Sequence, residues 1–174
     1  MTCLHSDDFT RQHEIGAIFH GAECIATSSM RWVDLANPLL ARDSYFAAWS
    51  PQALEVAAAH GSRICIGSSF TVAAAWRRAR GFPLNELVAA LTVDRFLRSD
   101  AHTLVGTMRN DRGMNTLAYR SGFEAIERDA KHHGVGVDLV AFHRRTCKRP
   151  TFDAALETKV SELLSREVPN AKSA

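Results

Sequence analysis

A strand, an arginine-rich loop, a helix and a second strand follow one another in the middle of the chain. The run SRICIGSSFTVA is apolar or small at most positions and contains the β-branched residues Ile64, Ile66 and Val72, which predicts a central strand. Leucine and valine recur at helical spacing after Pro83, which suits the first turn of a helix, and HTLVGTM predicts the next strand. Two strands joined by a helix lie parallel, with a right-handed crossover, so the chain is predicted to be an α/β protein.

The segment before this unit predicts an antiparallel hairpin and a helix. Strands are expected at about 14–20 and 23–34, and their connection at Gly21-Ala22 is short enough to force antiparallel pairing. An alanine-rich helix is expected between the start signal Ser50-Pro51 and the stop signal Gly61.

The segment after it predicts a short helix, a second strand pair and a last helix. GMNTLAYRSGF is expected to form a helix that ends at Gly122, and two strands follow with a turn at 131–134. Residues 152–167 carry an amphipathic helical pattern. The predicted order is therefore β-β-α-β-α-β-α-β-β-α, a mixed, mostly antiparallel central sheet flanked by helices, with a ligand cleft where the strand order changes.

Length and composition favour one folded domain. The chain has 174 residues, of which 46% are hydrophobic and 23% charged, as in ordinary globular proteins. We expect a flexible N-terminus at 1–13, one domain at 14–147, a C-terminal amphipathic helix at 148–168 and a disordered tail at 169–174.

Charge and cysteine usage argue against several kinds of protein. A net charge of +2 is too small for a nucleic-acid-binding protein, and the cationic clusters at 77–80 and 109–112 favour a small anionic ligand instead. No apolar run is long enough to span a membrane, and the N-terminus has no signal-peptide pattern. The four cysteines form no CxxC pair and the histidines have no ligand spacing, so no metal is expected. Cys24 and Cys65 are expected to be buried thiols, and the cytoplasm is the expected location.

Three segments could carry chemistry, and each also has a purely structural interpretation. The loop before Pro83 could hold phosphate at a helix N-terminus, or it could be a solvated basic loop. Tyr119 could donate a proton, or it could pack against the sheet. Ser68, Ser69 and Thr71 could orient a substrate or water, or they could satisfy nearby backbone groups. Trp49 and Trp76 could line an acyl pocket, although packing is the more frequent role of tryptophan.

In combination these segments resemble the GCN5-related N-acetyltransferase (GNAT) superfamily. The strand that ends at Val72, the loop RARGFP at 78–83 and the next helix are similar to the family's acyl-CoA-binding segment. The later run RNDRGMNTLAYRSGF is similar to its Asn-containing loop and its helix ending in Gly-Phe, with Asn110 or Asn115 as the asparagine. The resemblance covers roughly residues 14–145.

The resemblance implies a donor that is acyl-CoA or an acyl-phosphopantetheine. The residues it implies as contacts for the donor's phosphates are Arg77, Arg78, Arg80, Gly81 and Phe82. The backbone at Phe70, Thr71 and Val72 would align the pantetheine arm, and Tyr119 would protonate the departing thiolate. A backbone N–H of the central strand would stabilise the tetrahedral oxyanion.

The chain also departs from the family pattern. Pro83 has no N–H to offer a phosphate. Tyr119 lies three residues before Gly122, whereas the family's tyrosine lies four before. The central strand lacks the glutamate that often serves as base. We expect the family's leading strand and helices, part of the acceptor wall, to be largely missing, which would leave a fold with a reduced N-terminal part.

A looser likeness points to one branch of the family. The layout of SMRW, an insert containing DSYFAAW, and then SSFTV resembles the acyl-homoserine lactone synthases and long-chain N-acyl amino acid synthases, which use acyl carrier protein. The implied function is N-acyl transfer to a small-molecule amine or amino acid, with acyl carrier protein and a second copy of the chain as further partners. A non-catalytic member of the fold, and other thioester chemistry such as decarboxylation or lactone formation, are the alternatives.

Overall fold

Six strands form one sheet in the computed structural model, which describes residues 11–41, 43–77 and 82–165. The strands are β1 (Glu14–His20), β2 (Glu23–Asp34), β3 (Arg63–Val72), β4 (Thr103–Arg109), β5 (Glu124–His132) and β6 (Val135–His143). Their order across the sheet is β1-β2-β3-β4-β6-β5. β3 and β4 are parallel, and every other neighbouring pair is antiparallel. The mixed, mostly antiparallel sheet is therefore confirmed.

Helices cover both faces of this sheet. They are α1 (Pro38–Ala41), α2 (Pro51–Ala58), α3 (Leu84–Leu97), α4 (Met114–Arg120) and α5 (Ala154–Ser165), and short 3-10 turns occur at Ser44–Ala48 and Ala74–Trp76. Ser50 caps α2, because its hydroxyl accepts a hydrogen bond from the Ala53 N–H at 3.1 Å.

The predicted elements are present, with small differences at their ends. Pro83 precedes α3 instead of lying in its first turn. The turn between the last two strands is shorter than expected, because β5 continues to His132 and β6 begins at Val135. The division of the chain into a domain with flexible ends stays a prediction.

The expectation of two buried thiols is half right. Cys65 is buried in the central strand, but Cys24 is exposed. Cys24 lies second in β2, beside the hairpin turn, where the partner strand is the sheet edge β1. An apolar-looking run therefore did not guarantee burial at a sheet margin.

Side chains alternate between two cores along the central strand. Ile64 and Ile66 pack on the face covered by α2 and the 3-10 turn before it, where Phe46 and Trp49 are buried. Cys65 points to the opposite face and packs with residues of α3, including Phe96. The sheet is thus covered on both sides at β3 and β4, where the candidate site lies.

The end of α4 is fixed by a glycine. Gly122 has φ +91°, and a Cβ there would lie 2.6 Å from the carbonyl oxygen of Lys148. Only glycine fits this conformation and this contact, which confirms the predicted helix stop. The fixed end sets the helical register of the residues before it.

Candidate active site

β3 and β4 separate shortly after they begin to pair. Parallel pairing joins Ile64 to Thr103, Cys65 to Leu104 and Ile66 to Val105. Beyond those three positions the described residues of the two strands are not paired, although β3 continues to Val72 and β4 to Arg109. The strands therefore diverge and leave an opening in the sheet.

An irregularity in β3 accompanies this divergence. Ser29 of β2 pairs with Ser68, and Thr27 pairs with Thr71, so two β3 residues face one β2 residue between those pairs. Ser69 has φ +52°, in the left-handed region that a non-glycine residue rarely occupies. Such a bulge bends its strand and redirects the backbone groups beside it.

The opening between the diverging strands and the helices α3 and α4 forms a groove. Its apolar lining includes Gly67, Phe70, Leu104, Met108, Met114 and Leu117. Serine and threonine hydroxyls supply its polar groups, and the described lining residues include no carboxylate, histidine or cation. The groove suits an uncharged chain better than a charged ligand.

Of the predicted serines, Ser68 lines the groove and Ser69 forms the bulge. The Ser68 hydroxyl lies 3.0 Å from that of Ser29, which also donates to the Ser68 carbonyl at 3.0 Å. Ser29 is almost fully buried. The pair ties β2 to β3 at the bulge, so it fixes the shape of the opening.

The predicted pantetheine-aligning residues lie along the part of β3 that pairs with β2 but not with β4. Phe70 lines the groove, while Thr71 is exposed and its hydroxyl reaches the Ser69 carbonyl at 3.5 Å. Val72 is buried, and its carbonyl accepts a hydrogen bond from Arg77 Nε at 2.9 Å. Among the described residues, none pairs as a strand with the edge of β3 that faces β4 at these positions.

Part of the predicted phosphate loop lies outside the described residues. This applies to Arg78, Arg80 and Gly81. Arg77 is exposed at the end of β3, and Phe82 is half-buried, packing against the apolar cluster of α3 and α5. The structure therefore places only the two ends of this loop.

Asn110, Asn115 and Tyr119 converge on one carboxylate that sequence inspection missed, that of Asp138. Its Oδ1 accepts hydrogen bonds from Asn110 Nδ2 at 3.1 Å and from the Asp129 N–H at 3.0 Å. Its Oδ2 accepts from Asn115 Nδ2 at 3.0 Å and from the Tyr119 hydroxyl at 2.5 Å. Asp138 is only 3% exposed, so these four donors replace water. The network anchors α4 and the loop before it to β6.

This network shifts the pKa of two of its members in opposite directions. Burial by itself would raise the pKa of Asp138, but hydrogen bonds from Tyr119, the Asp129 N–H, Asn115 and Asn110 lower it to about 2. Burial and the neighbouring Asp138 carboxylate raise the pKa of Tyr119 to about 12. The pair therefore holds an ionised carboxylate and a protonated phenol at neutral pH.

Tyr119 is turned toward β6, and the residue before it faces the groove. Leu117 and Ala118 line the groove, while Tyr119 is not among its described lining residues. One helical residue is a rotation of about 100°, which accounts for the difference. Ala118 lies four residues before Gly122, at the offset where the family that the sequence resembles carries its tyrosine.

The two tryptophans lie in packing positions. Trp49 is buried, and its Nε1 donates to Thr107 Oγ1 at 3.3 Å. Trp76 is half-buried, with its ring 4.9 Å from that of His20. Neither belongs to the described lining of the groove.

Asp138 had a recognisable signal in the sequence. It is the only charged residue in β6, VGVDLVAFH, and an ionised group in a buried strand needs partners. The methionines of the groove, Met108 and Met114, gave no such signal, because an isolated methionine is compatible with any apolar environment.

The described part of the chain contains no group of three or more side chains placed to hold a metal ion. Among the described helices, none is long and apolar enough to cross a membrane.

Comparison by sequence finds no match, because no family model and no curated protein matches the chain. Solved structures do match. FeeM, an N-acyl amino acid synthase from uncultured soil microbes, aligns with a TM-score of 0.56 and 16% identity over 76% of this chain and 68% of its own. A mosquito arylalkylamine N-acetyltransferase-like protein aligns with a TM-score of 0.53 and 12% identity over 70% and 69% of the two chains.

A third similar structure is BjaI, a CoA-dependent acyl-homoserine lactone synthase determined with SAM and isopentyl-CoA. It aligns with a TM-score of 0.51 and 11% identity over 88% of this chain and 65% of its own. The sheet order, the diverging strands and these alignments together define the class: the chain has the GNAT-like acyltransferase fold.

Proposed function

We propose that the protein transfers an acyl group from a pantetheine thioester to the amine of a small molecule or amino acid. The donor is acyl-CoA or an acyl carrier protein. The observation that carries this proposal is the apolar groove where β3 and β4 diverge after Ile66 and Val105. The protein shares its fold with an N-acyl amino acid synthase and an acyl-homoserine lactone synthase, and this likeness supports the type of reaction.

The donor's pantetheine arm would lie along the unpaired edge of β3. Amide groups of the arm can exchange hydrogen bonds with the backbone at Phe70–Val72, as an added strand would. The thioester carbon then lies near the bulge at Ser68 and Ser69, where redirected N–H groups can stabilise the oxyanion. Arg77 and its cationic neighbours in sequence would meet the anionic end of the donor.

The reaction needs positioning more than acid–base groups from the protein. The amine nitrogen attacks the thioester carbon and forms a C–N bond, after which the C–S bond breaks. The amine gives up a proton to water, and the thiolate, a good leaving group, takes one. Because no base lines the described groove, only the neutral amine reacts, and the rate should rise with pH until the acceptor is deprotonated.

Acyl transfer is tested with donor and acceptor panels. Purified protein is incubated with acyl-CoA or acyl carrier protein of increasing chain length and with a set of amines, and acylated products are measured by mass spectrometry. Met114→Trp, which fills the groove, should abolish product formation. Thr116→Trp is the matched control, because Thr116 lies exposed on the same helix and does not line the groove. Equal activity of the two variants would contradict the proposal.

A second candidate is a non-catalytic acyl-binding protein. The observation that favours it is the lack of a titratable side chain in the described groove lining, together with the Tyr119 hydroxyl held by Asp138. In that case the thioester would raise the melting temperature of the protein without turnover on any amine. Detection of an acylated amine that depends on the open groove would exclude this candidate.

A further inference from the structure

The two edges of the sheet differ in how they are protected. An edge strand exposes unpaired backbone groups, and monomeric proteins protect it with charges, proline or bulges. β5, at one edge, reads EAIERDAKH, and its pairing with β6 has two register shifts. β1, at the other edge, reads EIGAIFH, with no charge or proline between Ile15 and Phe19.

Apolar side chains are exposed on β1. Glu14 bonds to Arg95 of α3, so the even-numbered residues of β1 face α3, and the odd-numbered ones face the other side of the sheet. On that other side, Ile15 is 49% exposed and Phe19 is 61% exposed. The shift in the β1–β2 pairing at Ile18 and Phe19 leaves β1 itself continuous, because β2 carries the additional residue.

The sequence of β1 is self-complementary when two copies run antiparallel about Ala17. That register places Ile15 beside the partner's Phe19, and Gly16 beside the partner's Ile18. It also places Glu14 beside the partner's His20 on the α3 side, where an imidazole N–H can donate a hydrogen bond to the carboxylate. A carboxylate that already binds one arginine still has lone pairs for a second donor.

We propose that the protein is a twofold-symmetric homodimer in which the β1 strands of two copies pair antiparallel about Ala17. The dimer joins the two sheets into one of twelve strands and covers Ile15 and Phe19 of both copies. Because both copies use the same edge, each β1 strand is paired in the dimer, and no further copy can add at this edge.

The inference does not depend on the proposed enzymatic function, and solution measurements on the full chain test it. Sedimentation equilibrium should show a dimer. Phe19→Lys should raise the dissociation constant of this dimer at least tenfold, because the substitution places a charge on the shared edge. Leu39→Lys is the matched control, because Leu39 is 79% exposed and belongs to α1 rather than to β1. A monomer at all concentrations up to about 100 µM, or a dimer equally stable in the Phe19 variant, overturns the proposal.

Cross-linking tests the register directly. In a background with Cys3→Ser and Cys24→Ser, Ala17→Cys should form an intersubunit disulfide, because the two copies of residue 17 lie opposite each other. Ile15→Cys should not, since the two copies of residue 15 are then separated by four residues, or about 13 Å. Equal cross-linking at both positions overturns the register, and circular dichroism confirms that each variant is folded.

Discussion

The hydroxyl of Tyr119 donates a hydrogen bond to Oδ2 of Asp138 at 2.5 Å, and this bond holds the phenol on the β6 side of α4. The groove lies on the other side of the helix, where Ala118 faces it. The helix therefore presents a small apolar side chain to the proposed thioester and uses its tyrosine as an anchor.

The first prediction concerns the role of that phenol. Tyr119→Phe should lower the free energy of unfolding by about 2 kcal/mol, because one hydrogen bond to a buried, ionised carboxylate is lost. Turnover with a working donor and acceptor should change by less than about threefold, since a true proton donor contributes ~100-fold or more. Steady-state kinetics and thermal unfolding measure the two effects. A fall in kcat of about 100-fold would contradict this prediction and would identify Tyr119 as the proton donor.

The second prediction concerns Asp138 itself. Asp138→Asn should destabilise the fold by about 2 kcal/mol, because an amide cannot accept hydrogen bonds at both of its ends. Asp111→Asn is the control: Asp111 is an exposed carboxylate bonded to Arg109, and its loss should cost less than about 0.5 kcal/mol. Chemical denaturation at pH 7 measures both. Equal effects of the two changes would contradict the anchoring role.

The pH dependence of Asp138 has a defined sign. Its pKa is lowered to about 2 in the folded protein from an ordinary value of 3.8, so the unfolded chain binds the proton more tightly. The resulting stability is fully present above about pH 4 and is lost as the pH falls toward 2. The difference in unfolding free energy between wild type and the Asn variant should therefore shrink over that range.

A third prediction uses the buried His143. Its Nδ1 lies 3.1 Å from Thr103 Oγ1 and its ring is 4.9 Å from that of His60. Burial and then the neighbouring His60 lower the pKa of His143, so protonation favours the unfolded chain. Stability is retained above the ordinary value of 6.5 and should decline as the pH falls below it. Melting curves of His143→Gln should show a weaker decline from pH 7 to 5 than wild type, and an identical decline would contradict this role.

Sequence patterns predicted the framework well because it depends on local rules. The hairpin around Gly21 and the helix stop at Gly122 follow from turn and cap preferences that a few neighbouring residues determine. The candidate site depends on contacts between distant residues. Asp138 gathers partners from three separate segments, the loop before α4, α4 itself and β5, and a change of one residue in helical register turns Tyr119 away from the groove. The partners of Asp138 are not visible from spacing along the chain, whereas the three residues between Tyr119 and Gly122 already differ from the spacing of the family that the sequence resembles.

A fourth prediction concerns the length of the acyl chain. Met108 lines the groove, and its replacement by alanine should lengthen the preferred acyl group by roughly two carbons, because the lost side chain leaves space of that size. Met30→Ala is the control, since Met30 is a buried residue of β2 outside the described groove lining. It should reduce stability without changing the preference. Competition between donors of different length, measured by mass spectrometry, separates the two outcomes.

The last prediction tests the support of α3, which forms one wall of the groove. Arg144 donates to the Ala101 carbonyl at 2.8 Å and to the carbonyls of Phe96, Leu97 and Ser99 at 2.8–2.9 Å, so it satisfies the end of the helix with one guanidinium.

Replacement of Arg144 by alanine leaves several helix-end carbonyls without a donor and should cost about 3 kcal/mol of unfolding free energy. Arg144→Lys should recover only part of this, since an ammonium cannot reproduce the planar fork. Arg145→Ala, at the exposed neighbouring position, should change stability by less than about 0.5 kcal/mol. Because the helix carries the groove wall, donor-induced thermal stabilisation should fall in the Arg144 variants and persist in the Arg145 variant. Loss of donor binding in the Arg144 and the Arg145 variants alike would show that binding depends on positive charge rather than on support of the helix end.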